Sequence, residues 1–345
     1  MVKIGIAGAT GYTGLELLRL LLKHPEAEIG VLTSESFQGR RVDEVFPSLS
    51  GFLDRQFVKL SPGVGKECDI LFLALPHTTA MNLVPEMLKG TCRVIDLSAD
   101  YRLKDPEVFQ QWYAVPHGQP ETLAGAVYGL PELHREEIRP ARLVANPGCY
   151  PTSIILGLAP LMGTGWVDLE SIVADSKSGV SGAGRKTSLT TQFAECNEGV
   201  SAYGLGTHRH TPEIEQEISL LVGREIRVSF SPHLMPMTRG LLSTIYLNLT
   251  RAMDLEELIG HYRAAYKSEP FVRILKQGTF ACTRHVRYSN YCDLGLQIDP
   301  RTRRVIITSA IDNLVKGAAG QAVQNMNLML GIPETTALDS PGIFP

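Results

Sequence analysis

Cys149 lies in Asn146-Pro147-Gly148-Cys149-Tyr150-Pro151-Thr152, between the short apolar run 143–145 and a longer apolar segment, 153–162. The first reads as a strand and the second as a helix, so the thiol stands at a helix mouth. Unpaired N–H groups and the positive end of the helix dipole there favour thiolate over thiol and can hold a developing oxyanion. The bland alternative is a buried thiol at a helix end. What reverses that preference is the start of the chain, where Gly8-Ala9-Thr10-Gly11-Tyr12-Thr13-Gly14 follows an apolar run and precedes an amphipathic one. A dinucleotide turn and a helix-mouth thiol together point to redox chemistry through a covalent thioester, which neither feature indicates alone.

Such chemistry also needs a group to manage a proton on sulfur or on the hemithioacetal oxygen. His208 and His210, in Gly206-Thr207-His208-Arg209-His210-Thr211-Pro212-Glu213, are the candidates. Two histidines two apart could instead be metal ligands, but no cysteine or carboxylate cluster at metal-like spacing accompanies them, and no metal site is expected.

In the opening turn Gly8, Gly11 and Gly14 repeat every third residue, with Thr10, Tyr12 and Thr13 beside them. Glycines there permit a tight turn and let a pyrophosphate approach the N–H groups of the next helix. Spacing of this kind also occurs in turns that bind nothing; the strand and helix flanks favour the cofactor. After the second strand, where an acidic residue would select NAD, the chain has Thr33-Ser34-Glu35-Ser36, then Arg40 and Arg41. Ser34, Ser36 and Arg40 favour the 2′-phosphate of NADP(H); Glu35 keeps NAD open, and the arginines can equally be loop surface. The segment 176–185, with Ser181, Gly182 and Gly184, is a hydroxyl-rich basic loop able to meet a phosphate or nicotinamide amide through its N–H groups, or simply a surface turn. Arg102, in Asp96-Leu97-Ser98-Ala99-Asp100-Tyr101-Arg102 after a strand, is an anion clamp or a surface salt bridge.

The elements that must position these groups follow from periodicity. Strand patterns at 2–7, 28–33, 69–75, 93–97 and 143–145 alternate with helical ones at 15–23 and 79–89, which implies an α/β, Rossmann-type doubly wound parallel sheet. Beyond Cys149, apart from a strand-like run at 171–174, the runs 226–231, 242–249, 294–298 and 305–310 look like longer strands with few helices between them, an α+β domain with a mainly antiparallel sheet. The apolar segment 314–330 reads as a helix stopped by Gly331 and Pro333. The expected domains are therefore 1–148, completed by a C-terminal helix in 314–345, and 149–313.

A chain of 345 residues is long enough for two such cores. Its 44% hydrophobic and 20% charged residues are those of a folded globular protein, and the net charge of −3 is spread without a basic cluster suited to nucleic acid. Arg301, Arg303 and Arg304 read as a solvated turn. No apolar run is long enough to span a bilayer and no signal peptide precedes the first strand, so a cytoplasmic protein is expected. The six cysteines are scattered without a Cys-x-x-Cys pair; Cys68 and Cys92 read as core packing.

Taken in order, the glycine turn, Leu75-Pro76-His77, the Asp96–Arg102 run, Tyr128-Gly129-Leu130-Pro131-Glu132, the Cys149 heptapeptide, Ser181-Gly182-Ala183-Gly184, His208-Arg209-His210 and Asp312-Asn313-Leu314-Val315-Lys316-Gly317 resemble the N-acetyl-γ-glutamyl-phosphate reductases, and more distantly the aspartate-semialdehyde dehydrogenases, from about Val2 to Gly331. The resemblance implies a fold like that of glyceraldehyde-3-phosphate dehydrogenase and NADPH-dependent reduction of N-acetylglutamyl 5-phosphate in arginine biosynthesis. It implies Cys149 as nucleophile and His208 as acid/base. Arg102, Asn146 and His210 would contact substrate, and the Ser181–Gly184 loop and Asn313 the cofactor. Inorganic phosphate would be released, and a homodimer or homotetramer would form. The same chemistry on an aminoadipate homologue, one methylene longer, is the nearest alternative; a non-catalytic NADP-binding sensor is the alternative from another class.

Overall fold

The computed structural model describes residues 1–344. The chain divides into two compact units, Met1–Pro147 with Ala318–Asp339, and Gly148–Gly317 with the residues from Ser340 onward.

The first unit is built on a six-stranded sheet of β1 (Val2–Ala7), β2 (Ala27–Leu32), β3 (Ile70–Leu73), β4 (Arg93–Asp96), β5 (Val127–Tyr128) and β6 (Leu143–Ala145), in the order β2-β1-β3-β4-β6-β5. Every pairing is parallel. The inner strands β3 and β6 are buried throughout, as a sheet covered on both faces requires. From β1 the chain goes to one side and then returns to the other, so the topological switch falls between β1 and β3, the place where such sheets hold ligands beyond their strand ends.

Two local features differ from the periodicity. The expected helix over 79–89 is a 3-10 turn, Ala80–Asn82, followed by one α-turn, Val84–Met87. Pro85 has no N–H and is tolerated only in a first helical turn, so the helix cannot start earlier. The edge strand β5 has two residues, too few to show any period. At the C-terminus the helical part of 314–345 is a π-turn, Val315–Ala319, and a helix, Gly320–Leu330; Gly331 at φ 70° ends it, and the chain beyond is turn and irregular. This helix belongs to the first unit through buried polar side chains: His24 Nε2 meets Asn327 Oδ1 at 2.9 Å, and Asn325 Nδ2 donates to the Gly129 carbonyl at 2.8 Å.

The second unit carries a seven-stranded mixed sheet of β7 (Val167–Gly179), β8 (Ser201–Ala202), β9 (Ser229–Met235), β10 (Leu241–Leu249), β11 (Val272–Ile274), β12 (Cys292–Asp299) and β13 (Arg304–Ile311), ordered β11-β12-β13-β10-β7-β9-β8. The long pairings of β10 with β7 and β13, and of β12 with β13, are antiparallel. β7 and β9 run parallel because the helix Thr211–Val222 lies between them in the chain as a crossover. Arg301 and Arg303 sit in the turn joining β12 to β13, where Arg301 pairs with Asp299, and Arg304 opens β13.

The helix Cys149–Leu158 lies on this sheet with nearly every residue buried. Gly157 lets it approach closely, since a Cβ there would stand 2.7 Å from Ile245 Cδ1. A buried hydroxyl cluster pins it: Ser153 Oγ bonds Ser243 Oγ at 3.0 Å and Ser309 Oγ at 2.9 Å, and Ser176 Oγ bonds Ser243 at 2.8 Å. Carbonyls near its C-terminus are satisfied by tyrosines of the helix Leu255–Ala265 and the residue after it, Tyr262 donating to Gly157 and Tyr266 to Leu156. The N-terminus of this helix is thereby held rigidly in place.

Candidate active site

Cys149 is the first residue of that helix, with Gly148 as the extended N-cap and no acidic residue in the first turn. Pro151 removes one N–H, so Cys149 and Tyr150 carry the amides of this turn that can face an oxyanion. The thiol is partly exposed. Two neighbours from later in the chain, one at Gly148 and one at Cys149 itself, fix its backbone. Glu213, 1% exposed in the first turn of Thr211–Val222, accepts the Gly148 N–H at 2.8 Å. From the π-turn, Gly317 comes so close that a Cβ on it would lie 2.7 Å from Cys149 Cβ.

His208 and His210 precede the Thr211–Val222 helix. The backbone N–H of His210 donates to His208 Nδ1 at 3.1 Å, which assigns the ring proton of neutral His208 to Nε2. The His208 ring is walled by Tyr150, His210, Phe230 and Tyr203, with centroids at 5.5, 4.9, 5.3 and 5.4 Å. Burial, with Arg209 nearby, pushes its pKa down to about 4, so it is neutral at physiological pH. Tyr203 is 39% exposed, but its hydroxyl turns onto that of Tyr150 at 3.1 Å. Burial pushes the Tyr203 phenol up to about 12 and Tyr150 higher, and a charge on Cys149 raises both further, placing the thiol in the same neighbourhood as the histidine cage. Chemically this is a partly exposed thiol with a neutral imidazole close by.

The loop after β7 is more committed than its composition indicates. The N–H groups of Gly179, Val180 and Ser181 bond to the carbonyls of Gly240, Met237 and Thr238, and that of Gly184 to Ser181. A short 3-10 turn, Val180–Ala183, contains Gly182, while Gly184 has φ 81° with open space around it. Asn313 clamps the loop, its Nδ2 on Ser181 Oγ at 2.9 Å and its Oδ1 on the Gly240 N–H at 2.8 Å. Beside it the buried Asp312 carboxylate accepts N–H groups from Tyr288, Leu314 and Val315 and pairs with Arg239, stabilising the start of the π-turn that presents Gly317.

In the first unit the glycine turn follows β1 at the switch point. Gly8 has φ 78°, and a Cβ on it would meet the Ala74 carbonyl oxygen at 2.3 Å; one on Gly14 would meet the Gly8 oxygen at 2.5 Å. Gly11, the N-cap of Tyr12–Leu21, is different: its Cβ position meets only the Gly8 oxygen, at 3.5 Å, leaving a cradle. That helix, on which Tyr12 and Thr13 are the first residues, has neither an acidic first turn nor a side-chain cap, so its N-terminus suits a pyrophosphate. Thr10 and the buried Ser34 join hydroxyls at 2.9 Å across the turn. Ser36 and Arg40 are exposed in the loop beyond. Arg41 is held by Asp43 and Asp54, whereas Arg40 has only a loose exposed contact with Glu44 at 3.4 Å. The residues present fit a dinucleotide.

Arg102 and Asn146 lie together in the same unit. Arg102, 6% exposed, donates Nε to the Asn146 carbonyl at 2.8 Å and Nη2 to that of Leu97 at 2.9 Å. The Asn146 amide, fully buried, bonds the Ala318 carbonyl at 3.2 Å and accepts from Asn325 at 3.1 Å. Both side chains thus brace the end of β6. Among the described residues no cluster of three or more His, Cys, Asp or Glu could hold a metal ion, and no helix is long and apolar enough to cross a membrane.

Sequence reasoning assigned no role to Glu213, Tyr203 or Gly317. A signal existed only for Glu213, as the acid two residues into a Thr-Pro helix start after the histidines.

The fold and the thiol site define an oxidoreductase of the semialdehyde dehydrogenase class. The family model for the semialdehyde dehydrogenase NAD binding domain matches residues 3–141, and that for the dimerisation domain matches residues 149–313. The chain is 54% identical over 346 residues to the N-acetyl-gamma-glutamyl-phosphate reductase of Desulforamulus reducens and 55% identical over 347 residues to that of Citrifermentans bemidjiense, with 100% of each chain covered in both cases. It belongs to the N-acetyl-γ-glutamyl-phosphate reductase family. Among solved structures, aspartate semialdehyde dehydrogenase II of Vibrio cholerae, in complex with ASA, shares the fold at TM-score 0.73 and 16% identity, over 96% of this chain and 98% of that one. Aspartate semialdehyde dehydrogenase of Candida albicans, solved with NADP, does so at 0.71 and 18%, over 96% and 98%.

Proposed function

We propose that this protein reduces N-acetyl-L-glutamyl 5-phosphate to N-acetyl-L-glutamate 5-semialdehyde and inorganic phosphate with NADPH, through a thioester on Cys149, in arginine biosynthesis. The observation that carries this reading is the partly exposed thiol opening the acid-free N-terminus of Cys149–Leu158, in a chain matched end to end by reductases of that name.

In the proposed cycle neutral His208 takes the thiol proton, and Cys149 sulfur attacks the acyl carbon while the Cys149 and Tyr150 amides steady the oxyanion. Phosphate leaves. When bound, NADPH supplies the hydride that reduces the thioester. A histidine with pKa of about 4 holds no proton at rest, so the one it lends to the hemithioacetal oxygen is the one it took from sulfur; it recovers that proton as the aldehyde forms and returns it to the departing thiolate, restoring the resting thiol. Arg102, Asn146 and His210 are assigned to substrate. The cofactor is assigned to Gly8, Thr10, Gly11, Tyr12, Thr13, Gly14, Ser34, Ser36 and Arg40, with Ser181, Gly182, Gly184 and Asn313. Arg40, only loosely paired, is the side chain for a 2′-phosphate. The reading further places the protein in the cytoplasm as a homodimer or homotetramer, joined through the outer face of the mixed sheet, where Val173 is 37% exposed.

The test runs the reaction in reverse, following NADP reduction with N-acetylglutamate 5-semialdehyde and phosphate, beside the aminoadipate homologue. Turnover preferring the former, abolished in Cys149→Ser while NADPH still binds, is the expected result. Preference for the homologue changes the substrate, and a Ser variant of near-normal rate overturns the mechanism.

A further inference from the structure

We propose that Cys68 and Cys92 form a dithiol modification site, which hydrogen peroxide closes to an intramolecular disulfide. The two thiols precede β3 and β4, neighbours in the parallel sheet, and the Arg93 N–H bonds the Asp69 carbonyl at 2.9 Å, fixing the two strand entrances together. Their sulfurs are 3.8 Å apart. A disulfide needs about 2.04 Å, so closure moves each sulfur by about 0.9 Å. Cys92 is 1% and Cys68 7% exposed, both within the cluster that includes Val64, Leu71 and Met87.

This pair is not simply apolar packing. Cys68 Sγ also lies 3.5 Å from the Val64 carbonyl, and Arg142 reaches the Cys92 carbonyl at 3.3 Å. The Cys68 hydrogen bond and the Arg142 charge hold the Cys92 thiol below its usual range while Cys68 is pushed up, so Cys92 is the attacking sulfur. Its thiolate attacks one peroxide oxygen and breaks the O–O bond, giving a sulfenic acid and one water. Cys68 sulfur then attacks the sulfenic sulfur and displaces a second water. The two thiols lose two electrons, the peroxide gains them, and both thiol protons leave in water.

The bond would staple the segment from Cys68 to Cys92 at the N-terminal edge of the sheet, whereas the glycine turn and Ala74 lie at the C-terminal edge. Closure therefore stiffens the unit while leaving its cofactor end untouched, and it removes two thiols from irreversible oxidation.

To test this, the full-length protein is treated with stoichiometric hydrogen peroxide, alkylated under denaturing conditions, digested and analysed by mass spectrometry. The expected product is a Cys68–Cys92 linked peptide, reversed by dithiothreitol and also formed in Cys149→Ser. Oxidised protein should melt several degrees above the reduced form, a gain absent from Cys92→Ser and Cys92→Ala. Quantitative alkylation of both cysteines after peroxide has consumed Cys149, or oxidation of either to sulfinic acid without a link, overturns the proposal. Since Cys149→Ser is inactive under the proposed mechanism, the link is read independently of turnover.

Discussion

Replacing Gly317 by alanine adds a single methyl group, and its consequences can be worked from the contacts around the π-turn. The new Cβ would lie 2.7 Å from Cys149 Cβ, 3.2 Å from Cys149 Cα and 3.3 Å from Ile311 Cδ1. Carbon atoms pack at about 3.5–4.0 Å, so the turn and the head of the Cys149–Leu158 helix must part by roughly 1 Å. The helix has little room to comply, because Ser153, Gly157 and the tyrosines behind it fix its other contacts. Overpacking of this kind costs about 1–3 kcal/mol, and a displacement near 1 Å at a reacting atom costs about 100-fold in rate. Gly317 does not have a left-handed φ, so backbone strain contributes nothing. In a helical turn free of that contact the same substitution would stabilise by up to about 1 kcal/mol, which makes the sign of the effect diagnostic. Denaturant unfolding, kcat, the pH profile of Cys149 alkylation and NADPH affinity by fluorescence are the measurements. The variant should be less stable, slow, and shifted in alkylation, with cofactor affinity preserved. Wild-type kcat together with unchanged or increased stability would refute the reasoning.

Two more outcomes are expected from buried carboxylates. Asp96 is fully buried and accepts from Ser98 Oγ and N–H; burial, with Asp100 nearby, pushes its pKa up to about 7. A carboxyl raised above its unfolded value contributes stability that is complete below the unfolded pKa, near 4, and is lost as pH rises through 7. Asp96→Asn should therefore gain on the wild type by about 2–3 kcal/mol between pH 5 and pH 8 in urea unfolding; an equal difference at both pH values would show that burial does not set this group's titration. Glu213→Ala leaves the Gly148 N–H without its acceptor, a cost of about 1–3 kcal/mol, and loosens the residue before Cys149. Stability and kcat should fall together, with Glu213→Gln recovering most of the stability, and an Ala variant with unchanged kcat would remove Glu213 from the positioning of Cys149.

The amino-acid sequence by itself determined whatever rests on local pattern. Apolar runs punctuated by glycine and proline placed β1, β4, β6, β10, β12 and β13 within a few residues, but marked only the middle of β7. The third-residue glycine repeat and the Pro-Gly bend before Cys149 marked the two turns from which chemistry can start, because a strand, a tight turn and a helix mouth are each specified by adjacent residues. Only the tertiary structure decided what meets those turns from afar. Glu213 reaches Gly148 from a helix more than sixty residues later in the chain, and Gly317 touches Cys149 from a π-turn whose shape depends on Asp312. No periodicity records such contacts. Arg102 reads in the sequence as a clamp for anions or a surface salt bridge; that it is buried, with Nε and Nη2 on two backbone carbonyls, was not legible there, because where a guanidinium points depends on which acceptors the packed sheet leaves beside it. The low pKa of His208 has the same origin: it comes from the rings of Tyr150, Tyr203 and Phe230 closing around the imidazole, and desolvation exists only once those separate segments have come together.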